Sequence, residues 1–335
     1  MWHTPFAMSR AFHVFTMKYD SRVVSISEID TADDTCCLSL NADPAALVPS
    51  IEAVGLINPP VLSQKEDQKY RTICGFKRVK ACQALGWKKT SAQVVRTDVS
   101  ELDLLRLAIL DNRSHRSLNV IEQARGIRKL GPHLPSKGRL KVLASLLGFP
   151  PNKKVFEKIR ALDGLPEAIQ AGVLDETISF EAAAHLASLS HGDTLCFFDL
   201  LKGLKFSQNK EIEMITLIRE IAIREDLQVE DVIKCREIRT ILDRPDLNRN
   251  EKGARLRAYV KGRRFPKLTK AEADFSDALK ALKLNRDISI TPPPYFEGGL
   301  YTLRMTFKNV DDFDRRCKIL DAIAGNPALK RLLDR

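Results

Sequence analysis

The chain has 335 residues, which is long enough for two or three domains and too long for one simple core. Its 54 lysine and arginine residues outnumber its 43 acidic residues, which gives a net charge of +11. A basic excess of this size agrees with a nucleic-acid partner. No apolar run reaches the roughly 18 residues of a membrane span, and no apolar N-terminal core predicts a secretory signal.

The seven cysteines are scattered along the chain, and none belongs to a CxxC pair. This usage predicts reduced thiols in a cytosolic compartment, most of them packed inside the fold. The six histidines show no ligand spacing with the cysteines, so the sequence predicts no zinc site.

The first third of the chain alternates short strand patterns with helical patterns. Strands are predicted at 23–26, 60–63, 70–74 and 92–95. One helix is predicted to open at Asp43 and Pro44, and another follows Ser100, which is a suitable N-cap. The alternation predicts an α/β domain over residues 18–115.

Gly75 lies where the strand at 70–74 meets a helix that runs from Phe76 to Leu85. The first amides of a helix have no partner within it, so this junction, with Lys77 and Arg78 in the first turn, is suited to binding an anion. An anion would also offset the unfavourable position of two cations at a helix N-terminus. An ordinary solvated first turn explains the same residues, because GxKR is a weak motif.

Three motifs in this order resemble the N-terminal domain of ParB-type chromosome and plasmid partition proteins, the ParB/Spo0J family. They are a glycine-proline motif at 55–59, a GERR-like motif at 75–78 and an ENxxR-like motif at 111–115. The resemblance implies that the domain binds CTP with Mg²⁺ and that the bound dimer closes as a clamp on DNA. It assigns nucleotide contacts to Gly75, Lys77, Arg78, Asp111, Asn112 and Arg113, and it places the metal at Asn112.

Three residues depart from the family pattern. Phe76 stands where the family usually has glutamate, Ser114 where it has glutamine, and His115 where it has arginine. A phenyl ring accepts no hydrogen bond, and serine is too short to orient a water as glutamine can. We therefore expect nucleotide binding with slow or absent hydrolysis, which leaves open whether the protein is an enzyme. Arg116, next to this motif, is a further candidate anion contact.

From Asn119 to about residue 245 nearly every segment has helical periodicity. Two apolar stripes at 140–147 and 155–162 flank a turn that contains Gly148. This layout is typical of a helix-turn-helix DNA reader, although a plain helical hairpin explains the stripes equally well. The resemblance to ParB proteins continues to about residue 189. The candidate DNA contacts are the polar and basic residues of the second helix: Asn152, Lys153, Lys154, Lys158 and Arg160.

The basic excess is concentrated between Cys235 and Lys267, where eleven cations accompany four acids. This stretch is either a second surface for the DNA backbone or a basic linker over 246–267. The tail at 268–335 is predicted to form a helix, a strand, a loop, a strand and a helix, with strand alternation at Tyr301, Leu303, Met305 and Phe307. One hairpin with two helices buries little area, so the tail is predicted to pair with its copy in a homodimer.

Together these patterns predict an α+β protein: a ParB-like α/β domain (18–115), an all-α DNA-binding domain with a helix-turn-helix (116–245), the basic linker and a small α+β domain. The favoured function is binding of double-stranded DNA in DNA partition or nucleoid organisation, in the cytoplasm of a prokaryote and on its nucleoid. The resemblance also implies a ParA-type ATPase as a partner. A ParB-fold transcriptional regulator stays open. A small-molecule kinase of the free-serine kinase type shares the N-terminal fold but would not need the helix-turn-helix.

Overall fold

The computed structural model describes residues 17–96 and 99–333. These residues form two compact units, the first ending at Ser190 and the second beginning at His191. The fold is a mixture of α and β elements, as predicted, with the larger sheet near the N-terminus and helices in most of the remainder. No helix in the described ranges combines the length and the apolar character needed to span a membrane.

A five-stranded mixed sheet forms the N-terminal part of the first unit. Its strands, in the spatial order β1-β5-β3-β4-β2, are β1 (Tyr19–Ser25), β2 (Ile29–Asp30), β3 (Val61–Gln64), β4 (Tyr70–Cys74) and β5 (Lys89–Val95). β1 runs antiparallel to β5, and β3 is parallel to β5 but antiparallel to β4. Helices α1 (Val48–Val54) and α2 (Phe76–Ala84) belong to the same part of the chain. Val79 of α2 packs with Leu62 and Val94 of the sheet in one hydrophobic core.

The strand at 70–74 and the helix from Phe76 agree with the sequence prediction. The helix predicted to open at Asp43 and Pro44 instead begins at Val48. Residues 44–47 form a hydrogen-bonded turn, because the Pro44 carbonyl accepts from the amides of Leu47 and Val48 before the helical ladder starts.

Six helices complete the first unit: α3 (Glu101–His115), α4 (Val120–Leu130), α5 (Arg139–Leu147), α6 (Lys153–Leu162), α7 (Glu167–Leu174) and α8 (Phe180–Leu186). Ser100 caps α3 as predicted, since its side chain accepts from the Asp103 amide. Asn119 and Glu122 form a capping box at the start of α4, in which each side chain accepts from the other's backbone amide. These caps explain why the two helices begin where they do.

Helices α4 and α5 pack closely at Gly126. A Cβ atom at this position would lie 2.4 Å from Cδ2 of Leu147, a side chain that is completely buried. Only a residue without a side chain therefore permits this approach of the two helices.

The second unit contains α9 (His191–Lys202), α10 (Gln208–Glu225), α11 (Val229–Ile233), α12 (Arg236–Leu242) and α13 (Arg249–Arg264). The tail that follows consists of α14 (Pro266–Leu282), β6 (Ile288–Thr291), β7 (Thr302–Met305), α15 (Val310–Ala324) and α16 (Pro327–Leu333). The order helix, strand, strand, helix agrees with the sequence prediction, and α16 is an element that the sequence analysis missed. β6 and β7 form an antiparallel hairpin over a small core that includes Phe275, Ile290 and Ile323.

The stretch predicted as a basic linker contains the 16-residue helix α13, which packs against α10. Three of its arginines pair with glutamates of α10: Arg257 with Glu213 at 2.6 Å, Arg263 with Glu225 at 2.6 Å and Arg264 with Glu220 at 2.7 Å. The compact second unit thus begins well before residue 246, and much of the local charge excess is matched by acids from another helix. The stretch is therefore part of a folded helical unit, and these three cations are already engaged within the protein.

Candidate anion site and nucleic-acid interface

Gly75 occupies the junction between β4 and α2 in a left-handed conformation, with φ of 92° and ψ of 30°. A Cβ atom there would lie 3.0 Å from Nε of Arg78 and 3.2 Å from the backbone Cα of Pro60. Both the positive φ and the close backbone approach require glycine at this position. The free amides at the start of α2 and the exposed side chain of Lys77 lie beside it, as the sequence predicted.

Arg78 joins the first two motifs to each other. Its Nη1 donates to the carbonyl oxygens of Asn58 at 2.7 Å and Pro59 at 3.1 Å. The guanidinium therefore holds the glycine-proline loop against the first turn of α2. This structural contact was not visible in the sequence, which assigned Arg78 to the triphosphate alone.

The third motif lies in the last turns of α3, and Asp111 brings it next to the Gly75 junction. Burial raises the pKa of the Cys74 thiol, and the nearby Asp111 carboxylate raises it further. Cys74 directly precedes Gly75, and helix α3, which carries Asp111, packs against the strand β4 that ends at Cys74. Asn112 donates from Nδ2 to the Ala108 carbonyl at 2.8 Å, which leaves its Oδ1 as the atom suited to a hard cation.

Arg113 contacts helix α5, a role that differs from its predicted nucleotide contact. Its Nη1 donates to the carbonyl oxygens of Ser145 at 2.6 Å and Leu146 at 2.8 Å, in the last turn of α5. A cation at the C-terminal end of a helix is favourable for the helix dipole and satisfies carbonyls that have no partner within the helix. Arg113 thus connects α3 with the first helix of the predicted DNA reader.

The other residues near this motif have contacts within the chain or lie exposed. The Ser114 hydroxyl donates to the Asp111 carbonyl at 2.7 Å, and His115 is exposed. Arg116 makes two hydrogen bonds to Glu122, at 2.6 Å and 2.5 Å. The charge of Arg116 thus neutralises a carboxylate whose residue is only 2% exposed. The anion contact of Arg116 stays a prediction.

Glu122 is the most deeply buried carboxylate near this site. Burial opposes its ionisation, but the hydrogen bonds from Arg116 and the Asn119 amide outweigh that effect and hold the pKa of Glu122 below its ordinary value. The sequence pattern NVIE predicted only a helix start here. The ion pair was missed because Arg116 stands before the helix cap, outside the helical spacing.

Helices α5 and α6 are separated by a turn in which Gly148 has a φ of 81°. Asn152 is the N-cap of α6, where its Oδ1 accepts from the Lys154 amide at 2.8 Å and the Val155 amide at 3.4 Å. The arrangement of helix, glycine-containing turn and second helix is the one that the sequence predicted. Asn152 therefore positions the helix start, in addition to any contact that it makes with DNA.

The four basic residues of α6 differ in their local partners. Lys158 pairs with Glu181 of α8 at 2.5 Å, and Arg160 pairs with Glu157 at 2.6 Å with its guanidinium over the Phe156 ring. Lys153 and Lys154 are exposed, and no ion pair joins either of them to another described residue. Two uncompensated charges therefore lie at the N-terminal end of α6, the end that enters the major groove in helix-turn-helix proteins.

Residues 21–113 match the ParB N-terminal domain family. A nucleoid occlusion protein of Oceanobacillus iheyensis is 34% identical over 169 residues, which are 49% of this chain and 57% of that protein. One of Bacillus mycoides is 32% identical over 142 residues, or 42% of this chain and 47% of that protein. The chain thus spans about half the length of the curated relatives that it matches.

Among solved structures, the C-terminally truncated chromosome-partitioning protein ParB of Caulobacter crescentus, complexed to the centromeric parS site, aligns at 17% identity and a TM-score of 0.34, covering 58% of this chain and 98% of that one. At this score the superposition assigns no individual residue. The match over residues 21–113 and the relatives agree with the three motifs and with the α/β fold of this part of the chain. Residues 21–113 therefore form a ParB N-terminal domain, and the longer stretch matched by the relatives resembles nucleoid occlusion proteins.

Proposed function

We propose that the protein binds double-stranded DNA through α6 and acts in DNA partition or nucleoid organisation. The observation that carries the proposal is the pair of uncompensated lysines, Lys153 and Lys154, at the start of a helix that follows a glycine-containing turn. The nucleoid occlusion proteins that it resembles support the same class of function.

The first prediction compares the effect of Lys153 and Lys154, which have no ion-pair partner among the described residues, with that of the paired Lys158. The double change Lys153→Ala with Lys154→Ala should weaken DNA binding and lower the slope of log affinity against log salt by about 2, roughly one for each lost phosphate contact. Lys158→Ala is the matched control, since Lys158 already pairs with Glu181 on α8. We expect a smaller effect from it.

Fluorescence anisotropy with a labelled duplex at several salt concentrations measures both quantities. Equal affinity and slope in the double variant and the unmodified protein would place the DNA-binding surface elsewhere. A larger loss from Lys158→Ala would show that the Glu181 pair opens when DNA binds.

We further propose that the Gly75 junction binds CTP with Mg²⁺. The free amides of α2 and the side chains of Lys77 and Arg78 would contact the phosphates, and Asp111 and Asn112 would lie on the side of the metal. The support is local: glycine is required at the junction, and helix α3, which carries Asp111, packs against the strand that ends just before it. In this proposal the nucleotide acts as a conformational ligand that favours a closed clamp of the dimer, to the extent that it binds that state more tightly.

The second prediction tests this site at Lys77, which forms no hydrogen bond or ion pair through its side chain with another described residue. Lys77→Ala should weaken CTP binding by about 1.5–3 kcal/mol, the usual contribution of a charge-assisted hydrogen bond. Arg78→Ala should abolish binding, because Arg78 also holds the glycine-proline loop in place. Lys80→Ala, one turn further along α2, is the control and should bind normally.

Calorimetry with CTP, ATP and GTP, together with a phosphate-release assay, provides the readout. Absence of heat with all three nucleotides would refute a nucleotide site at this junction. Rapid release of phosphate would contradict the effect assigned to Phe76 and Ser114.

The third prediction concerns a homodimer through the tail from about residue 268. The tail leaves apolar side chains uncovered, including Leu303 of β7 at 51% and Phe307 after it at 54% exposure. Ending the chain after Lys267 should lower the mass in light scattering toward that of a monomer and weaken binding to a two-half-site duplex. A full dimer after truncation would place the main interface elsewhere. A ParA-type ATPase stays a prediction from the resemblance.

A further inference from the structure

Strand β1 lies at the edge of the five-stranded sheet. It pairs with β5 along its full length, from Tyr19 opposite Val95 to Ser25 opposite Lys89. In the described part of the chain no strand pairs with its other edge. A strand of seven residues with a free edge presents unpaired amides and carbonyls that another extended segment can use.

The exposed side chains of β1 are a mixture of apolar and charged groups. Residues 19–23 are all exposed, and Val23 has 71% and Tyr19 41% of its surface accessible. Tyr19, Ser21 and Val23 share one face of the strand, because successive side chains alternate. Asp20 and Arg22 share the other face, where they form an exposed pair at 3.1 Å.

We propose that β1 pairs antiparallel with β1 of a second copy, about a two-fold axis at Ser21, and joins two sheets into one. The sequence of the strand is complementary to itself in this register. Asp20 then lies opposite Arg22 of the second copy, and Tyr19 lies opposite its Val23. Opposite charges and aromatic with β-branched pairs are both favourable between neighbouring strands.

Symmetry and charge together disfavour the registers next to this one. A two-fold axis perpendicular to the sheet keeps each side chain on its own face, so the axis must pass through a residue and not between two. An axis at Asp20 would place two aspartates directly opposite each other, and an axis at Arg22 would do the same with two arginines. Like charges directly opposite are destabilising, so the charges favour Ser21 over these two neighbouring centres.

This interface differs from the predicted pairing of the tail, because it lies in the first unit and uses none of the tail's residues. It also does not involve Lys77 or Lys153, which test the nucleotide and DNA proposals. Loss of β1 pairing and failure of the proposed function are therefore separate outcomes.

Cross-linking of the full-length chain tests the register directly. In Ser21→Cys the two introduced thiols lie opposite each other across the axis, within reach of a short bismaleimide. Ser91→Cys is the matched control, since Ser91 is an exposed serine on β5, one strand further from the axis. We expect a cross-linked dimer from Ser21→Cys, and only the background of the native cysteines from Ser91→Cys and the unmodified chain.

Charge reversal then tests the complementarity. In the Ser21→Cys background, Asp20→Arg alone and Arg22→Asp alone should each reduce the cross-linked fraction several-fold, because each places like charges opposite each other. The double reversal Asp20→Arg with Arg22→Asp should restore it. Circular dichroism confirms that each variant is folded. Equal yields for Ser21→Cys and Ser91→Cys, or a double reversal no better than the single changes, would overturn the proposal.

Discussion

Replacing Arg116 with alanine is expected to destabilise the protein by about 3 kcal/mol, the lower end of what removing one partner of a buried ion pair costs. The change leaves the Glu122 carboxylate in a position that is 2% exposed, with the Asn119 amide and a longer contact from the Ser39 hydroxyl as its remaining donors. The lower end applies because Arg116 itself keeps about half of its side chain in contact with solvent. Urea denaturation at pH 7 measures the difference.

The loss of stability in Arg116→Ala should depend on pH in a defined direction. In the unmodified protein the pKa of Glu122 lies below its unfolded value, so its stabilising contribution is present above the unfolded pKa and is lost as the pH falls through the folded pKa. In Arg116→Ala, burial without the cation should raise the pKa of Glu122 above its unfolded value, so protonation would stabilise the folded variant. The difference in unfolding free energy between the two proteins should therefore shrink from pH 7 toward pH 4.

Two further variants test whether the unpaired Glu122 carboxylate causes the loss of stability. Arg116→Lys keeps the charge but not the two-pronged geometry, and should fall between the unmodified protein and the alanine variant. The double change Arg116→Met with Glu122→Leu removes both charges and should cost less than Arg116→Ala alone. If the double variant is the less stable of the two, the buried carboxylate is not the source of the loss.

Replacing Gly126 with alanine should destabilise the first unit by about 1–3 kcal/mol, the usual cost of overpacking a core. The new Cβ would lie 2.4 Å from Cδ2 of Leu147 and 3.2 Å from its Cδ1, so α4 and α5 must separate or Leu147 must leave its position. Helix propensity alone predicts the opposite sign, because alanine favours a helix by about 1 kcal/mol over glycine.

Gly131→Ala is the matched control for this change. Gly131 also has helical backbone angles, but a Cβ atom there meets no atom within 4 Å. We expect Gly131→Ala to be neutral or slightly stabilising in thermal unfolding. If Gly126→Ala melts at the same temperature as Gly131→Ala, the close packing of α4 against α5 is not maintained in solution.

The sequence predicted the local elements well where one signal was sufficient. The β-branched run at 70–74, the glycine that follows it and the cap at Ser100 each act within a few residues, and all agree with the structure. The start of α1 was wrong by four residues, because the turn that Pro44 begins closes two hydrogen bonds before the helix can start.

The contacts of the charged residues were less predictable, because their partners lie far away in the sequence. Glu213 is 44 residues from Arg257, Glu181 is 23 residues from Lys158, and the carbonyls bound by Arg113 are 32 and 33 residues away. If only the composition is considered, each of these cations counts as available to bind a phosphate group. Folding assigns them to other helices and leaves Lys77, Lys153 and Lys154 as exposed candidates for an anionic ligand.

The two hydrogen bonds of Arg113 imply a thermodynamic linkage. Asn112 and Arg113 are adjacent on α3, so a ligand that displaces this turn must either carry the end of α5 with it or break both bonds. Helix α5 leads directly into the turn before α6, so such a displacement alters the helix that would contact DNA. Any factor by which the nucleotide changes DNA affinity must then equal the factor by which DNA changes nucleotide affinity, and weakening the Arg113 contact should reduce both together.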